Sequence, residues 1–344
     1  MKINVGILGC TGAVGQKFIS LLADHPDFNI TELAASERSA GRIYKEAVNW
    51  LEPCEIPDKI SNMTIKKCNA DLDCRIVFSG LDSQIAGEVE KEFANSGYAV
   101  ISNSKNHRMF DDVPLVIPEV NSDHFGLIYE QKKNKNTNGF IVTNPNCSTI
   151  ALALCLAPVH RVFGIKEISV TTMQAISGAG YPGISSHDIL GNIVPHIKDE
   201  EEKIQTETLK ILGTIENKKI NFADINISAS CNRVPVKDGH TLSISFETCN
   251  KAELQQLLEC WNDFEYEKHY SSPAKLFYLS ENPVRPQPLL DINNGNGMAL
   301  TIGNLRKCNV LDWKLNVLAH NTVRGAAGAA ILNAEYLLKE GYIQ

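Results

Sequence analysis

The first part of the chain is built from short apolar runs separated by amphipathic ones. Residues 3–8, 30–35, 75–80, 98–103 and 141–143 are rich in Val, Ile, Leu and Ala, and are predicted as buried strands. Residues 16–23 and 85–96 place apolar positions at helical spacing. Strands alternating with helices predict a doubly wound parallel sheet, in which ligands gather at the carboxyl ends of the strands. From about residue 165 the pattern changes. Residues 168–174, 224–230, 240–248, 298–306 and 313–320 read as strands, several alternating apolar and polar positions, as a mainly antiparallel sheet with one covered face requires. Residues 251–264 form an amphipathic helical run. The Ala- and Leu-rich segment 322–340 is predicted as a last helix that returns to the first domain. The expected fold is α/β: a discontinuous nucleotide-binding domain (1–146 plus 322–344) and an α+β second domain (147–321).

Composition narrows the function classes. The chain has 344 residues, 43% hydrophobic and 21% charged, with a net charge of −7. These values fit a soluble globular protein of about two domains. No long basic run is present, so a nucleic-acid partner is not expected. The Lys- and Asn-rich residues 131–139 read as a solvated surface loop. No apolar stretch approaches the roughly eighteen residues that a membrane helix needs, so no membrane partner is expected. The ten cysteines follow no zinc-binding spacing, and a strand begins directly at the N-terminus. Reduced thiols in a cytoplasmic protein without a metal site are the expectation.

One cysteine stands apart. Cys147 follows a strand and the turn Asn144-Pro145-Asn146, and precedes the apolar run 150–157, which reads as a helix that Pro158 bends or ends. A helix N-terminus favours a thiolate, the form that acts as a nucleophile. The turn Gly9-Cys10-Thr11-Gly12-Ala13-Val14-Gly15 lies between the first strand and the first helix. Its glycines permit a tight turn and close approach to a pyrophosphate. After the second strand, Ser36, Arg38 and Ser39 favour the 2′-phosphate of NADP, whereas Glu37 points to a ribose or to solvent. Gly80 and Asn103 end strands that should border the same crevice as Cys147. Gln174 ends a strand before the glycine-rich loop 177–183 and is placed to orient a carbonyl. Arg233 and His240 flank an Asp238-Gly239 turn; the first suits a carboxylate, the second proton transfer. The acidic residues 199–202 open a helix, a natural capping arrangement, and Lys203 either binds an anion or pairs with Asp199.

Together the glycine turn, residues 144–149, 174–183 and 233–240 resemble the aspartate-semialdehyde dehydrogenase family, most closely its archaeal and fungal branch. The resemblance spans nearly the whole chain. It implies an NADP-dependent enzyme that interconverts aspartyl phosphate and aspartate semialdehyde, with phosphate as co-substrate, through a thioester on Cys147, in the biosynthesis of lysine, threonine and methionine. It implies His240 as acid and base, Asn146 with the Cys147 amide as oxyanion donors, and Gln174 as the group orienting the substrate. Arg233 would grip the substrate carboxylate. Arg108, Lys203 and Glu200 match the family's substrate and phosphate residues. Gly9, Thr11, Gly12, Ala13, Val14, Ser36, Arg38, Ser39, Gly80 and Asn321 would bind the cofactor, with Arg324 falling nearby. A catalytic second domain that also forms a homodimer or homotetramer interface is implied. Malonyl-CoA reductases of the same branch use similar Cys and His residues and remain an alternative, as does a non-catalytic NADP-binding sensor.

Overall fold

The computed structural model describes residues 2–343; Met1 and Gln344, the outer ends of the expected first domain, lie outside the described residues. The first sheet contains β1 (Ile3–Leu8), β2 (Phe28–Ala35), β3 (Lys66–Lys67), β4 (Ile76–Ser79), β5 (Ala99–Ser102) and β6 (Phe140–Thr143). Their order is β3-β2-β1-β4-β5-β6, and every pairing is parallel. The chain reverses direction across the sheet between β1 and β4, the switch point where open α/β sheets bind ligands. Helices α1 (Ala13–Leu22) and α2 (Ser83–Asn95) follow β1 and β4. All four residues of β4, β5 and β6 are buried, which is why these strands read as continuous apolar runs.

The turn after β1 depends on glycine for steric reasons. Gly9 has φ +76°, and a Cβ there would lie 2.8 Å from the Gly80 carbonyl oxygen. A Cβ on Gly15 would sit 2.2 Å from the Gly9 oxygen, so α1 could not approach β1.

Residues 131–139 depart from the expected loop. Helix α3 (Leu127–Lys135) occupies most of them, and Asn136 closes it in the left-handed region at φ 48°. Gln131 is buried in phase with Leu127 and Ile128. Its Nε2 donates to the Ile141 carbonyl at 2.8 Å, and its Oε1 accepts from the Ile141 N–H at 3.0 Å. One amide thus closes the open edge of β6, as a neighbouring strand would. The Lys and Asn content signalled solvation, but one polar side chain in helical phase faces inward.

Helix α4 (Cys147–Phe163) starts directly after the turn that ends β6. It continues through Pro158 instead of ending there. Residues 148–159 are all buried, and that burial outweighs the one backbone hydrogen bond the proline removes. The helix packs in the core of the second sheet, so Cys147 lies where the two layers meet.

The second sheet holds β7 (Ile165–Gln174), β8 (Asn226–Arg233), β9 (His240–Thr248), β10 (Phe277–Ser280), β11 (Leu300–Lys307) and β12 (Trp313–Ala319), in the order β8-β7-β9-β12-β11-β10. The three inner pairings are antiparallel, and the two outer ones are parallel. The sheet is therefore mixed; alternation of apolar positions reports a covered face and carries no strand direction. Helix α5 (Glu200–Ile211) packs against α4 and β8, and α6 (Leu254–Asn262) against α4. The last segment opens with a π-helical turn, Val323–Ala327, before α7 (Gly328–Lys339). Ala330, Ile331, Ala334 and Leu337 of α7 join the core of the first sheet.

Candidate active site

Cys147 is the first residue of α4 and is half-buried. Asn146 is the N-cap; its Oδ1 accepts from the N–H groups of Ser148 at 2.9 Å and Thr149 at 3.3 Å. This cap is why the chain turns into a helix at the cysteine. The Cys147 N–H, at the first helical position, has no acceptor within the helix and remains a donor for ligand.

His240 begins β9 and is buried, with Nε2 3.1 Å from the Cys147 Sγ. Its Nδ1 accepts the Ala175 backbone N–H at 3.0 Å. A backbone amide can only donate, so this bond places the imidazole proton on Nε2, facing the sulfur. Burial pushes the His240 pKa down to about 3, assisted by Arg233 and His320. Burial pushes the Cys147 thiol up to about 12, with Glu200 adding to the rise; Arg233, Arg108 and the Ser148 amide oppose it. The Ser148 amide near the helix start acts in the direction the helix position predicts, but desolvation outweighs it. The ligand-free pair is therefore thiol and neutral imidazole. The second-order rate constant for alkylation of Cys147 by iodoacetamide is expected to rise about tenfold per pH unit between about pH 6 and 9. A plateau near neutral pH in that profile would show a depressed thiol instead.

Gln174 and Arg233 end neighbouring parallel strands and are Cα partners in register, so they stand side by side. Gln174 Nε2 donates to Glu200 Oε2 at 3.2 Å, and Asn146 Nδ2 donates to both Glu200 oxygens at 3.1 and 2.9 Å. Lys203 Nζ meets Glu200 Oε1 at 2.8 Å. One carboxylate thus gathers three candidate residues. Burial acts to raise its pKa, but the Lys203 charge and these hydrogen bonds overcome that and hold Glu200 below the usual carboxylate range. Lys203 pairs with Glu200 and not with Asp199, which bonds Lys105 at 2.7 Å and makes no helix cap.

Arg233 Nη1 donates to the Ala175 carbonyl at 2.7 Å, and its buried Nε has no protein partner. The loop after Gln174 closes over these groups. A Cβ at Gly178 would lie 2.9 Å from Arg233 Nη1 and 3.2 Å from His240 Nε2. Asn321 fastens this loop: its Nδ2 donates to Ser177 Oγ at 2.8 Å, and its Oδ1 accepts the Gly239 N–H at 2.8 Å. Arg108 is buried, donating to Glu207 Oε1 at 2.9 Å and to the Asn103 carbonyl at 2.7 Å. Arg324, in contrast, is completely buried, pairing with Glu119 at 2.7 Å and donating to the Met298 carbonyl, so it faces packed protein.

The nucleotide crevice lies over the carboxyl ends of β1 and β4, at the middle of the same sheet. Gly12 is the N-cap of α1, and no side chain caps that helix, so its first N–H groups are free to meet an anion. Thr11, Ala13 and Val14 are half-buried around this point, and Gly80 lies beneath it, where a Cβ would meet the Gly15 nitrogen at 3.2 Å. Ser36 and Arg38 are exposed after β2, with Ser39 half-buried. Glu37 is paired with Lys67 at 3.0 Å on the surface. Among the described residues no group of three or more His, Cys, Asp or Glu is arranged to hold a metal ion.

Two residues at this site have no counterpart in the sequence reading. Glu207 accepts the Asn146 N–H at 2.7 Å as well as Arg108. Its signal was a charged stripe at helical spacing on α5: Glu200, Lys203, Glu207 and Lys210. Gly325, in the π-helical turn, sits directly behind Cys147: a Cβ there would lie 2.6 Å from the Cys147 Cβ. Nothing in the sequence marks that contact, because the two positions are remote along the chain.

A glycine-turn nucleotide fold with a Cys–His pair at the domain boundary is the arrangement expected of a nicotinamide-dependent aldehyde oxidoreductase. Residues 4–128 match the family described as "Semialdehyde dehydrogenase, NAD binding domain", and residues 156–324 match "Semialdehyde dehydrogenase, dimerisation domain". The chain is 50% identical to aspartate-semialdehyde dehydrogenase of Archaeoglobus fulgidus over the full length of both, and 48% identical to that of Schizosaccharomyces pombe over 98% of each. The crystal structure of aspartate semialdehyde dehydrogenase with NADP from Candida albicans superposes with a TM-score of 0.92 at 40% identity, covering all of both chains. The chain belongs to the aspartate-semialdehyde dehydrogenase family.

Proposed function

We propose that this chain is an NADP-dependent aspartate-semialdehyde dehydrogenase that makes aspartate semialdehyde from aspartyl phosphate, reversibly, for lysine, threonine and methionine biosynthesis. The observation that carries this reading is the 3.1 Å contact between Cys147 Sγ and His240 Nε2, beside Arg233 and the Gln174–Glu200–Asn146 cluster. The residues fit the cofactor. The turn leaves no room for a Cβ at Gly9 or Gly15 and packs Gly80 tightly against it, and the uncapped α1 N-terminus offers N–H groups to a pyrophosphate. Ser36, Arg38 and Ser39 would hold a 2′-phosphate, and Glu37 is paired with Lys67 at the surface. When bound, NADPH supplies the hydride.

In the reductive direction the Cys147 sulfur attacks the acyl carbon, and the C–O bond to phosphate breaks. The thiol proton leaves with the phosphate as hydrogen phosphate, because His240 Nε2 already carries a proton. The Cys147 N–H donates to the oxygen that gains charge; Asn146 Nδ2 joins it by turning from Glu200. After reduction of the thioester, the oxyanion collapses to the aldehyde. The sulfur leaves as a thiolate held by the His240 Nε2–H and is protonated from solvent, which supplies the one proton the reduction consumes. Arg233 grips the substrate carboxylate, Gln174 orients the carbonyl, and Glu200 faces the substrate amino group. Arg108 and Lys203 receive the phosphate.

The dimerisation-domain match and exposed apolar residues such as Leu289 and Val310 in the second half support a homodimer or homotetramer. Among the described residues no helix is long and apolar enough to cross a membrane. A cytoplasmic enzyme is part of the proposal, because its substrates and nicotinamide cofactor are small soluble molecules. The test is NADPH formation from aspartate semialdehyde, phosphate and NADP. Phosphate-dependent production is expected, with NAD much poorer. Folded protein inactive in that assay but oxidising NADPH with malonyl-CoA would be a malonyl-CoA reductase. Binding of NADP without turnover of either substrate would leave the sensor.

A further inference from the structure

Helix α5 carries two buried charges that the proposed reaction does not consume. Glu207 is almost completely buried and uses both carboxylate oxygens: Oε1 accepts from Arg108 Nη1 at 2.9 Å, and Oε2 accepts the Asn146 main-chain N–H at 2.7 Å. Lys210 lies on the same face, one turn on, and is equally buried. Its ammonium donates to three carbonyls of the segment that follows Arg108: those of Arg108 at 2.7 Å, Phe110 at 2.7 Å and Val113 at 2.9 Å. A buried ammonium with three carbonyl acceptors is satisfied without a ligand. Its evident work is to hold that segment against α5.

These contacts reach across the protein. Arg108 follows β5 of the nucleotide sheet, Asn146 adjoins the nucleophile, and α5 packs with the second sheet. We infer that Glu207, backed by Lys210, is a positioning residue: it sets the Arg108 guanidinium at a fixed spacing from the Cys147 turn. The inference rests on the reading that Arg108 receives the phosphate. A carboxylate bridging a side-chain cation and a main-chain N–H has two separable parts. The bond to Asn146 orients the nucleophile turn, and the charge orients and holds the guanidinium. Glutamine in its place keeps an oxygen for the Asn146 N–H and loses the ion pair.

The test compares Glu207→Gln with the native enzyme in the oxidative direction, varying phosphate and semialdehyde separately. The phosphate KM is expected to rise about tenfold, with kcat and the semialdehyde KM within about threefold of native. A residue that merely stabilises the fold would lower the melting temperature and leave the phosphate KM unchanged; that result overturns the inference. Arg108→Lys is measured in parallel. Should Arg108→Lys leave the phosphate KM unchanged, the underlying assignment of Arg108 fails. Should Arg108→Lys raise it and Glu207→Gln not, only the positioning role fails. In the double variant the effects on phosphate KM should be clearly less than multiplicative, since both changes break one contact. If Glu207→Gln does not accumulate as folded protein, Glu207→Asp carries the same comparison. It keeps the charge but is one methylene short of spanning both partners, and an unchanged phosphate KM in it overturns the inference equally.

Discussion

Cys147→Ala is expected to abolish turnover by at least about 10³-fold while leaving the fold intact. The side chain is half-buried at the first position of α4, where alanine is a good helix former, and the Asn146 cap does not involve the sulfur. The melting temperature should therefore change little. The measurement is kcat with semialdehyde, phosphate and NADP, beside a thermal melt and an NADP binding isotherm. Lost turnover with retained cofactor binding and stability is the result that assigns the covalent step to this sulfur. Residual turnover within tenfold of native would require another nucleophile, and the thioester route would have to be abandoned.

Arg233→Lys should raise the semialdehyde KM by about 30- to 100-fold, equivalent to roughly 2–3 kcal/mol, with a smaller effect on kcat. The guanidinium is buried at the end of β8, braced by the Ala175 carbonyl, and keeps a buried Nε without a protein partner. A planar fork in that position matches a carboxylate through two parallel bonds; an ammonium on a shorter stem offers a single point charge. The phosphate KM should stay within about threefold of native, because Arg108 and Lys203 are assigned to that anion. Initial rates with each substrate varied in turn separate the two constants. An unchanged semialdehyde KM would place the substrate carboxylate elsewhere.

Much of the first sheet was legible because parallel strands are buried on both faces. The run 98–103 announces β5 with only an end residue or two in excess, and the glycine turn is marked by residues that backbone clashes make necessary. The placement of Cys147 at a helix start was legible for a local reason: turn, cap and helix start are consecutive in sequence. Gln131 was misread because composition reports the average environment of a segment, while one helical phase buries a single amide against β6. By its own position Glu200 read as a helix-start acid and only the family resemblance marked it as a substrate residue; the packing of α5 turned its carboxylate toward Asn146 and Gln174.

The sequence by itself determined a two-part α/β chain, a dinucleotide turn, and one cysteine at the start of a buried helix, since each is written in contiguous residues. The tertiary structure alone decided the rest. Strand register put Arg233 beside Gln174. A backbone amide on Nδ1 chose the His240 tautomer. Burial overrode the helix terminus and left Cys147 a thiol. Glu207 reached the Asn146 N–H, and Gly325 packed behind Cys147, from segments far along the chain. Electrostatics and close contact depend on distances in space, and those exist only once the sheets, α4 and α5 have packed.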